Sequence, residues 1–553
     1  MKNKQIVSVV WISLVLLLIA VPIVLPFVHV GYFPSHDGEW AVVRLADMFR
    51  EIRDHQFPPR YSGNLNFGYG YPLFNFAYPL PYYFGLLIYM FKFSFINSIK
   101  LVFAVSTFIS VIFMYLASKE FWGNKWAGFA SSLLFAYLPY RLVDLYVRGS
   151  IGETVAFAFF SFLFFCAVRM HKNPKQIFYV PLTGLAIAGL VLSHNIMATF
   201  FLPIFVLFFA CLAWNNYKEY IVPFVSSVFL GIAVSAFFWL PALSEKHLIL
   251  LSKIPIADRT INYVALRDLL FRPWGYGIPE AATGGFTYQI GWPQIIVFLI
   301  VAGFLIINAV KKKTFSEQFR TAIFLTFAVI VMTAMLFSFT NIIWKTVPLL
   351  KEINYPWTLL GPIGFIISFA SGYLCTLKMK RVKQEVLVLG IFAVALYLPF
   401  AKPEKFTYYD NNYYATNDAT TTSSSEYTPL WVTERPLQRP AEKVELISGF
   451  GTISGLVYDS KLTSFTVVVK QPVTARINTI YYPGWKVFVD GVNVIPSYAN
   501  PRGVMDIVVP IGTHTVRAVF GETPLRGISD GVSIGAVLMC LGLMGFSLRK
   551  VKK

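Results

Sequence analysis

The stretch His36-Asp37-Gly38-Glu39-Trp40 decides the reading of this chain, because it sets two carboxylates directly after the first long apolar run, residues 6–28. A run of that length is about what a hydrocarbon core of ~30 Å requires of a helix, so it reads as a membrane span. The basic start Met1-Lys2-Asn3-Lys4 belongs on the cytoplasmic side by the positive-inside rule, and Asp37 and Glu39 then emerge on the far side. The loop that follows also holds His36, Arg44, Asp47, Arg50 and Arg60. Charges gathered at a membrane rim point to a site; the competing explanation is that any exposed loop carries charge.

Composition settles the class. Of 553 residues, 56% are hydrophobic and 14% charged, and mean hydropathy is +0.60, well outside soluble-domain averages. The 53 Phe, 30 Tyr and 12 Trp suit lipid-facing helices and interfacial belts. A formal charge of +19 would suggest nucleic acid in a soluble protein. Here the short connections between apolar segments hold much of the basic excess, so it reports orientation and no nucleic-acid partner is expected. Cys166, Cys211, Cys375 and Cys540 all lie in apolar segments and read as inert packing residues. No small-residue cleavage site follows the first run, and the run is too long for a signal-peptide core, so it reads as a retained anchor.

Further apolar segments run at 78–93, 99–118, 126–146, 151–170, 177–193, 197–214, 221–243, 291–310, 321–339, 357–377, 385–400 and 531–548. If crossings alternate, the basic clusters His171-Lys172-Asn173-Pro174-Lys175, Lys311-Lys312-Lys313, Lys378-Met379-Lys380-Arg381 and Arg549-Lys550-Val551-Lys552-Lys553 all fall on the cytoplasmic side. Alternation also puts both Asp37 and Arg148-Gly149-Ser150-Ile151-Gly152-Glu153 outside, yet three apolar segments lie between them. One of the three therefore does not cross. Segment 78–93, interrupted by Pro79 and Pro81 and crowded with aromatics, is the one expected to stay interfacial or re-entrant. That leaves twelve crossings with both termini cytoplasmic, or thirteen if the segment spans.

From about residue 402 to 524 the hydropathy collapses. The Tyr/Asn/Thr/Ser-rich stretch Tyr408 to Tyr427, with its low-complexity core Thr420-Thr421-Thr422-Ser423-Ser424-Ser425, reads as an ordered loop or linker. Beyond it, alternating apolar residues at 463–469, 475–481 and 514–520, with turn signals at Pro483-Gly484 and Asp490-Gly491, suggest a small β-sandwich. The expected fold is an all-α polytopic membrane protein of about 12–13 transmembrane helices with an extracytoplasmic β-sandwich near the C-terminus. Its parts would be a membrane domain over 1–400 with an acidic first outer loop at 29–77, an outer linker at 401–441, the sandwich at 442–524, and a last helix with a basic tail at 525–553. The sandwich has no clustered His, Asp or Glu and is assigned no chemistry beyond scaffolding or glycan contact.

No P-loop, dinucleotide fingerprint or zinc spacing is visible, and Ser193-His194-Asn195 lacks the flanking glycines of a hydrolase elbow. The chain does carry a distinctive series: His36-Asp37-Gly38-Glu39-Trp40, Tyr69-Gly70-Tyr71-Pro72-Leu73-Phe74, Pro139-Tyr140-Arg141, Arg148 to Glu153, Glu426-Tyr427-Thr428-Pro429 and Tyr482-Pro483-Gly484-Trp485-Lys486-Val487. In these stretches it resembles the GT-C membrane glycosyltransferases. It resembles more closely the prokaryotic GT-C-like membrane proteins labelled "6-pyruvoyl-tetrahydropterin synthase-related", akin to YfhO-like proteins. The pterin label implies no pterin chemistry here, since no zinc-ligand histidine cluster is visible.

The resemblance implies an integral glycosyltransferase of a prokaryotic plasma (inner) membrane. It would move a sugar from a polyprenyl-phosphate carrier to a glycan, lipid or protein acceptor of the cell envelope, on the extracytoplasmic face. Asp37 maps onto the acidic residue that takes the acceptor proton, with Glu39 assisting or holding the acceptor. Arg148 is the best-placed partner for the lipid phosphate, followed by Arg141 and Arg60. Glu153 and His194 would form an acceptor or second acidic site. GT-C oligosaccharyltransferases bind a divalent ion there through paired acids; this chain offers one Glu with no neighbouring Asp in sequence, so metal dependence stays open. Two other classes compete: a lipid or polysaccharide transporter or flippase, and a non-catalytic envelope assembly factor. The lack of an obvious internal repeat and the gathering of notable charges on one side weigh against the transporter.

Overall fold

The computed structural model describes residues 2–278, 284–311 and 316–551; Lys312, Lys313, Lys552 and Lys553 of the basic clusters, and Met1, lie outside the described residues. Among the described residues, ten helices are long and apolar enough to cross a membrane, from Val10–Val28 to Pro524–Arg549. The protein is an integral, multi-pass membrane protein. Ten of the thirteen apolar segments correspond to these helices, and the other three are shorter or broken. Segment 177–193 is the 15-residue helix Tyr179–Ser193, and 78–93 is reduced to the 10-residue helix Leu80–Tyr89. Segment 126–146 is not one helix. It divides into Lys125–Ala136, Pro139–Val143 and a π-helical turn, Asp144–Arg148, because Pro139 has no N–H to donate and forces the residue before it out of the helical region.

Contacts sort the helix termini into two ends. At one end Arg169 Nη1 pairs with Glu120 at 3.4 Å, His171 meets Glu317 at 3.2 Å, and Asn124 donates to Cys375 O at 3.2 Å. The Pro524–Val551 helix reaches the same end, where Cys540 packs with Val180 and Leu543. At the other end Lys100 Nζ donates to His29 O at 2.6 Å and Phe95 N to Asn411 Oδ1 at 2.8 Å. The ten long helices, the Tyr179–Ser193 helix and the broken 125–148 stretch together make twelve passages between these ends among the described residues. The described residues of the four basic clusters thus collect at one end. Leu80–Tyr89 makes no passage. Its first turn follows Tyr78, whose ring lies 5.1 Å from His194, and Tyr89 stacks at 4.2 Å on Phe95, so both its flanks stay at the second end.

That end is roofed by the helix Gly38–Arg53, by residues 402–443 and by a β-sandwich. The strands are β1 (Val444–Ser448), β2 (Gly451–Tyr458), β3 (Leu462–Val469), β4 (Val473–Ile480), β5 (Trp485–Val489), β6 (Val492–Val494), β7 (Val504–Val509) and β8 (Gly512–Phe520). They form two antiparallel sheets, ordered β1-β4-β7 and β2-β3-β8-β5-β6. Alternate residues Phe465, Val467 and Val469 of β3 face Ala475 and Ile477 of β4 across the core, the period-2 pattern visible in the sequence. The β5–β6 hairpin turns at Asp490 (φ +51°) and Gly491 (φ +82°), as a two-residue turn with both central φ positive requires.

Buried polar ties fix the sandwich to the helices. Arg526 grips Glu245 through two bonds, Nε to Oε1 at 2.9 Å and Nη2 to Oε2 at 2.7 Å. The same Oε2 accepts from Tyr482 Oη at 3.0 Å and Asn75 Nδ2 at 2.9 Å. Arg60 bonds Asp530 at 2.8 Å, Glu522 at 3.3 Å and Phe237 O at 2.6 Å. Tyr61 Oη donates to the backbone of Ile480 at 2.7 Å while its ring packs edge-on to Trp485.

Candidate functional site

Two backbone hydrogen bonds create the site. His36 N donates to Val147 O at 3.1 Å and Asp37 N to Arg148 O at 2.7 Å, pinning the first loop against the end of the π-helical turn. Gly149 permits this approach. Its φ is +62°, and a Cβ there would lie 2.5 Å from Ser35 Oγ and 2.6 Å from Gly38 N, leaving no room for any other residue. The π-helical turn widens the chain just before Gly149, a feature common where a helix presents a functional side chain.

Asp37 is the N-cap of the Gly38–Arg53 helix but makes no side-chain capping bond, and among the described residues its carboxylate has no hydrogen bond or ion pair. Trp40 and Arg44 follow at i+3 and i+7, one face of the helix, and all three line a cavity of about 460 Å³. Tyr78, Tyr82, Phe286 and Trp357 supply aromatic walls.

Arg148 closes the inner side of the cavity. Its Nη1 donates to Glu153 Oε1 at 2.6 Å, to Tyr140 Oη at 3.0 Å and to Asp144, and its guanidinium lies 4.7 Å from the Trp357 ring centre. Nη2 and Nε make no hydrogen bond among the described residues, and Arg148 lines the cavity. Behind it, Glu153 and Asp144 are fully buried, and Glu153 Oε2 accepts from Tyr140 Oη at 2.8 Å. His194 stands next, with Nε2 at 3.9 Å from Glu153 and Nδ1 accepting from Met197 N at 3.3 Å. Asp144 revises the expectation of a single acid: nine residues from Glu153 in sequence, it meets the same nitrogen of Arg148. Even so, among the described residues no group of three His, Cys, Asp or Glu side chains is placed to hold a metal ion.

The structure therefore sets Asp37 and Arg148 on the cavity with Glu153 and His194 behind Arg148, and leaves three other nominated residues away from it. Arg141 is fully buried among helices, 4.5 Å from the Phe135 ring centre and bonded to Ser110. Arg60 is spent on the tie to Asp530 and Glu522. Glu39 turns toward Tyr414, 3.5 Å away, where burial raises its pKa. The Glu39 position follows from helical geometry: it lies two residues, about 200°, from Asp37 around the helix.

Several cavity residues escaped the sequence reading. The Thr/Ser tract forms part of the wall: Thr421, Thr422 and Ser423 line the cavity. Arg44 Nε donates to Thr421 Oγ1 at 3.1 Å, Arg44 also bonds the Thr421 carbonyl, and Tyr71 Oη lies 3.0 Å from the same hydroxyl. Glu426 is buried beside them, accepting from Ser424 N at 3.1 Å, and is held by Leu251 N donating to Glu426 O at 2.8 Å. Arg44, Tyr71 and Glu426 lie in stretches that stood out in the sequence; the Thr/Ser tract between 420 and 425 gave no such signal. His36 completes the rim with a buried Nε2 that has no partner among the described residues; burial, and then the Arg148 charge, lower its pKa.

No family model matches the sequence. Over 242 residues the chain is 28% identical to an uncharacterized protein of Lactococcus lactis subsp. cremoris (strain MG1363), covering 42% of this chain and 39% of that protein. The match thus spans well under half the length of that curated relative. Among solved structures, the chain is similar to the apo crystal structure of the Archaeoglobus fulgidus oligosaccharyltransferase, with a TM-score of 0.43 and 12% identity over 78% of this chain and 61% of that one. It is also similar to ArnT from Cupriavidus metallidurans bound to undecaprenyl phosphate, with a TM-score of 0.31 and 11% identity over 73% of this chain and 90% of that one.

Proposed function

We propose that the protein is a membrane glycosyltransferase of the GT-C type, moving a sugar from a polyprenyl-phosphate carrier to a cell-envelope acceptor. The observation that carries this reading is the unpaired Asp37 carboxylate held in register with Arg148 at a cavity rim. The basic end is cytoplasmic by the positive-inside rule, and the cavity then faces the extracytoplasmic side. Residues 1–400 form the transferase body, 401–441 its roof, 442–524 a docked scaffold and 525–553 the closing helix.

The chemistry follows from the placement. Asp37 accepts the acceptor hydroxyl proton as the new bond to the anomeric carbon forms. The bond from that carbon to the phosphate oxygen breaks, and the phosphate leaves with its electron pair. Its negative charge is met by the free edge of Arg148, whose other edge Asp144, Glu153 and Tyr140 hold in place. No step is assigned to a metal.

The test uses the full chain in lipid nanodiscs with polyprenyl-phosphate sugars and envelope fractions as acceptors. Asp37→Asn, which keeps the shape and removes the base, lowers transfer on the order of a hundredfold or more. Transfer that survives Asp37→Asn undiminished refutes the assignment.

A further inference from the structure

The opposite end of the helical body holds a second cavity, of about 880 Å³, among the ends of the Phe95–Trp122, Trp292–Lys311 and Glu317–Ala334 helices and the 373–383 turn. Lys311, Lys378 and Lys383 line it, and no Asp or Glu lines it among the described residues. None of the three ammonium groups has an ion pair or hydrogen bond among the described residues. The rest of the lining divides by character. Asn308, which donates to Tyr373 Oη at 3.1 Å, and Gln318 offer polar groups, while Phe304, Ile307 and Met379 form an apolar side. Ile307 is 48% and Met379 51% exposed, so the apolar side opens on the flank of the bundle, where lipid lies.

Three cations with no ion pair and no lining acid among the described residues, beside an apolar opening on the flank of the bundle, fit an amphiphile with an anionic head. We infer that this cavity binds the phosphate-bearing headgroup of an anionic phospholipid, with Lys311, Lys378 and Lys383 as the headgroup contacts. Lysine serves here because it meets phosphate as a mobile point charge and needs no fixed fork. The acyl chains leave past Ile307 and Met379. The bound lipid ties the last turn of Trp292–Lys311 and the first of Glu317–Ala334 to the end of Phe95–Trp122. Because only the folded state binds it, the lipid raises thermal stability by mass action. The site is independent of the glycosyltransferase reading.

Native mass spectrometry and thermal unfolding of the purified full chain test this, with phosphatidylglycerol, phosphatidylcholine or glycerol 3-phosphate added in turn. Phosphatidylglycerol is retained and raises the melting temperature; phosphatidylcholine does neither. In the triple variant Lys311→Gln/Lys378→Gln/Lys383→Gln the phosphatidylglycerol affinity falls on the order of a hundredfold, about fivefold for each lysine at a bilayer surface. Its melting temperature in phosphatidylcholine matches that of the wild type, which separates lost binding from misfolding. A control variant, Lys119→Gln/Lys172→Gln/Lys175→Gln, neutralises the same number of charges at the same end outside the cavity and keeps the affinity. Equal loss in the control, or an unchanged triple variant, overturns the site. Stabilisation by glycerol 3-phosphate as strong as that by phosphatidylglycerol overturns the lipid in favour of a soluble phosphate ligand.

Discussion

Arg148→Lys separates the two things that Arg148 does in this structure. Its Nη1 holds two fully buried acids, Asp144 and Glu153, the latter at 2.6 Å, while its other two nitrogens make no hydrogen bond among the described residues and the side chain lines the cavity. Removing the cation altogether, as in Arg148→Ala, strands both acids and costs about 3–5 kcal/mol of stability, so that variant reports on folding more than on function. Lysine keeps one positive charge against Asp144 and Glu153 but loses the planar fork that reaches a phosphate in two-point fashion. Losing such a charge-assisted contact costs about 1.5–3 kcal/mol, or on the order of tenfold to a hundredfold in carrier affinity and transfer. Arg148→Lys therefore reaches the membrane and melts close to wild type, yet binds undecaprenyl phosphate more weakly in titrations in nanodiscs. A companion variant, Arg148→Ala/Glu153→Gln, removes one stranded charge and recovers part of the stability lost in Arg148→Ala without recovering carrier binding. Wild-type affinity for undecaprenyl phosphate in Arg148→Lys would end the phosphate assignment and leave Arg148 as a brace between two helix ends.

Gly149→Ala forces a left-handed conformation on a residue with a Cβ, costing about 1–2 kcal/mol, and pushes the Ser35–Gly38 backbone away from Arg148; transfer falls while undecaprenyl phosphate binding is retained, as paired activity and titration assays show. Arg526→Ala leaves Glu245 buried with Tyr482 and Asn75 as its remaining partners among the described residues and destabilises by about 3–5 kcal/mol, read as a lower melting temperature and faster proteolysis in the sandwich. In a background lacking Cys166, Cys211, Cys375 and Cys540, single cysteines at the exposed positions Phe57 and Asn97 both react with an impermeant thiol reagent from the extracytoplasmic side, and one at Lys175 only from the cytoplasm; opposite sidedness of Phe57 and Asn97 would mean that Leu80–Tyr89 crosses the membrane.

The fold was legible in the sequence because membrane helices and alternating strands are written locally. Unbroken apolar runs mark spans, and the period-2 pattern in β3, β4 and β8 marks the sandwich regardless of what surrounds it. Even the non-crossing of residues 78–93 followed from parity, which requires one of three segments not to cross, together with Pro79 and Pro81, which mark this one. The break of segment 126–146 was harder to see. Hydropathy is blind to the difference between a continuous helix and one interrupted at Pro139, although the proline itself was a visible warning.

The cavity divides the same way, by sequence distance. Asp37, Arg148 and Glu153 stood out because each sits at the mouth of a span, where charge is costly to place without purpose. Thr421, Thr422 and Ser423, which complete the wall, did not stand out, because their meaning depends on partners hundreds of residues away. Arg44 and Thr421 are 377 positions apart, and nothing in a run of threonines and serines announces that an arginine will organise it. A short polar residue satisfies backbone and side-chain donors equally well in a linker or in a cavity wall, so composition alone favours the commoner linker. Arg141 and Arg60 failed in the opposite sense. Both looked like free cations in sequence, yet one is enclosed among helices and the other is neutralised by Asp530 and Glu522 from the far end of the chain. A cation near a membrane rim is thus informative only once its counter-charges are known. By that criterion Arg148 remains distinctive: it is held on one edge by two buried acids and open on the other to the cavity that Asp37 overlooks.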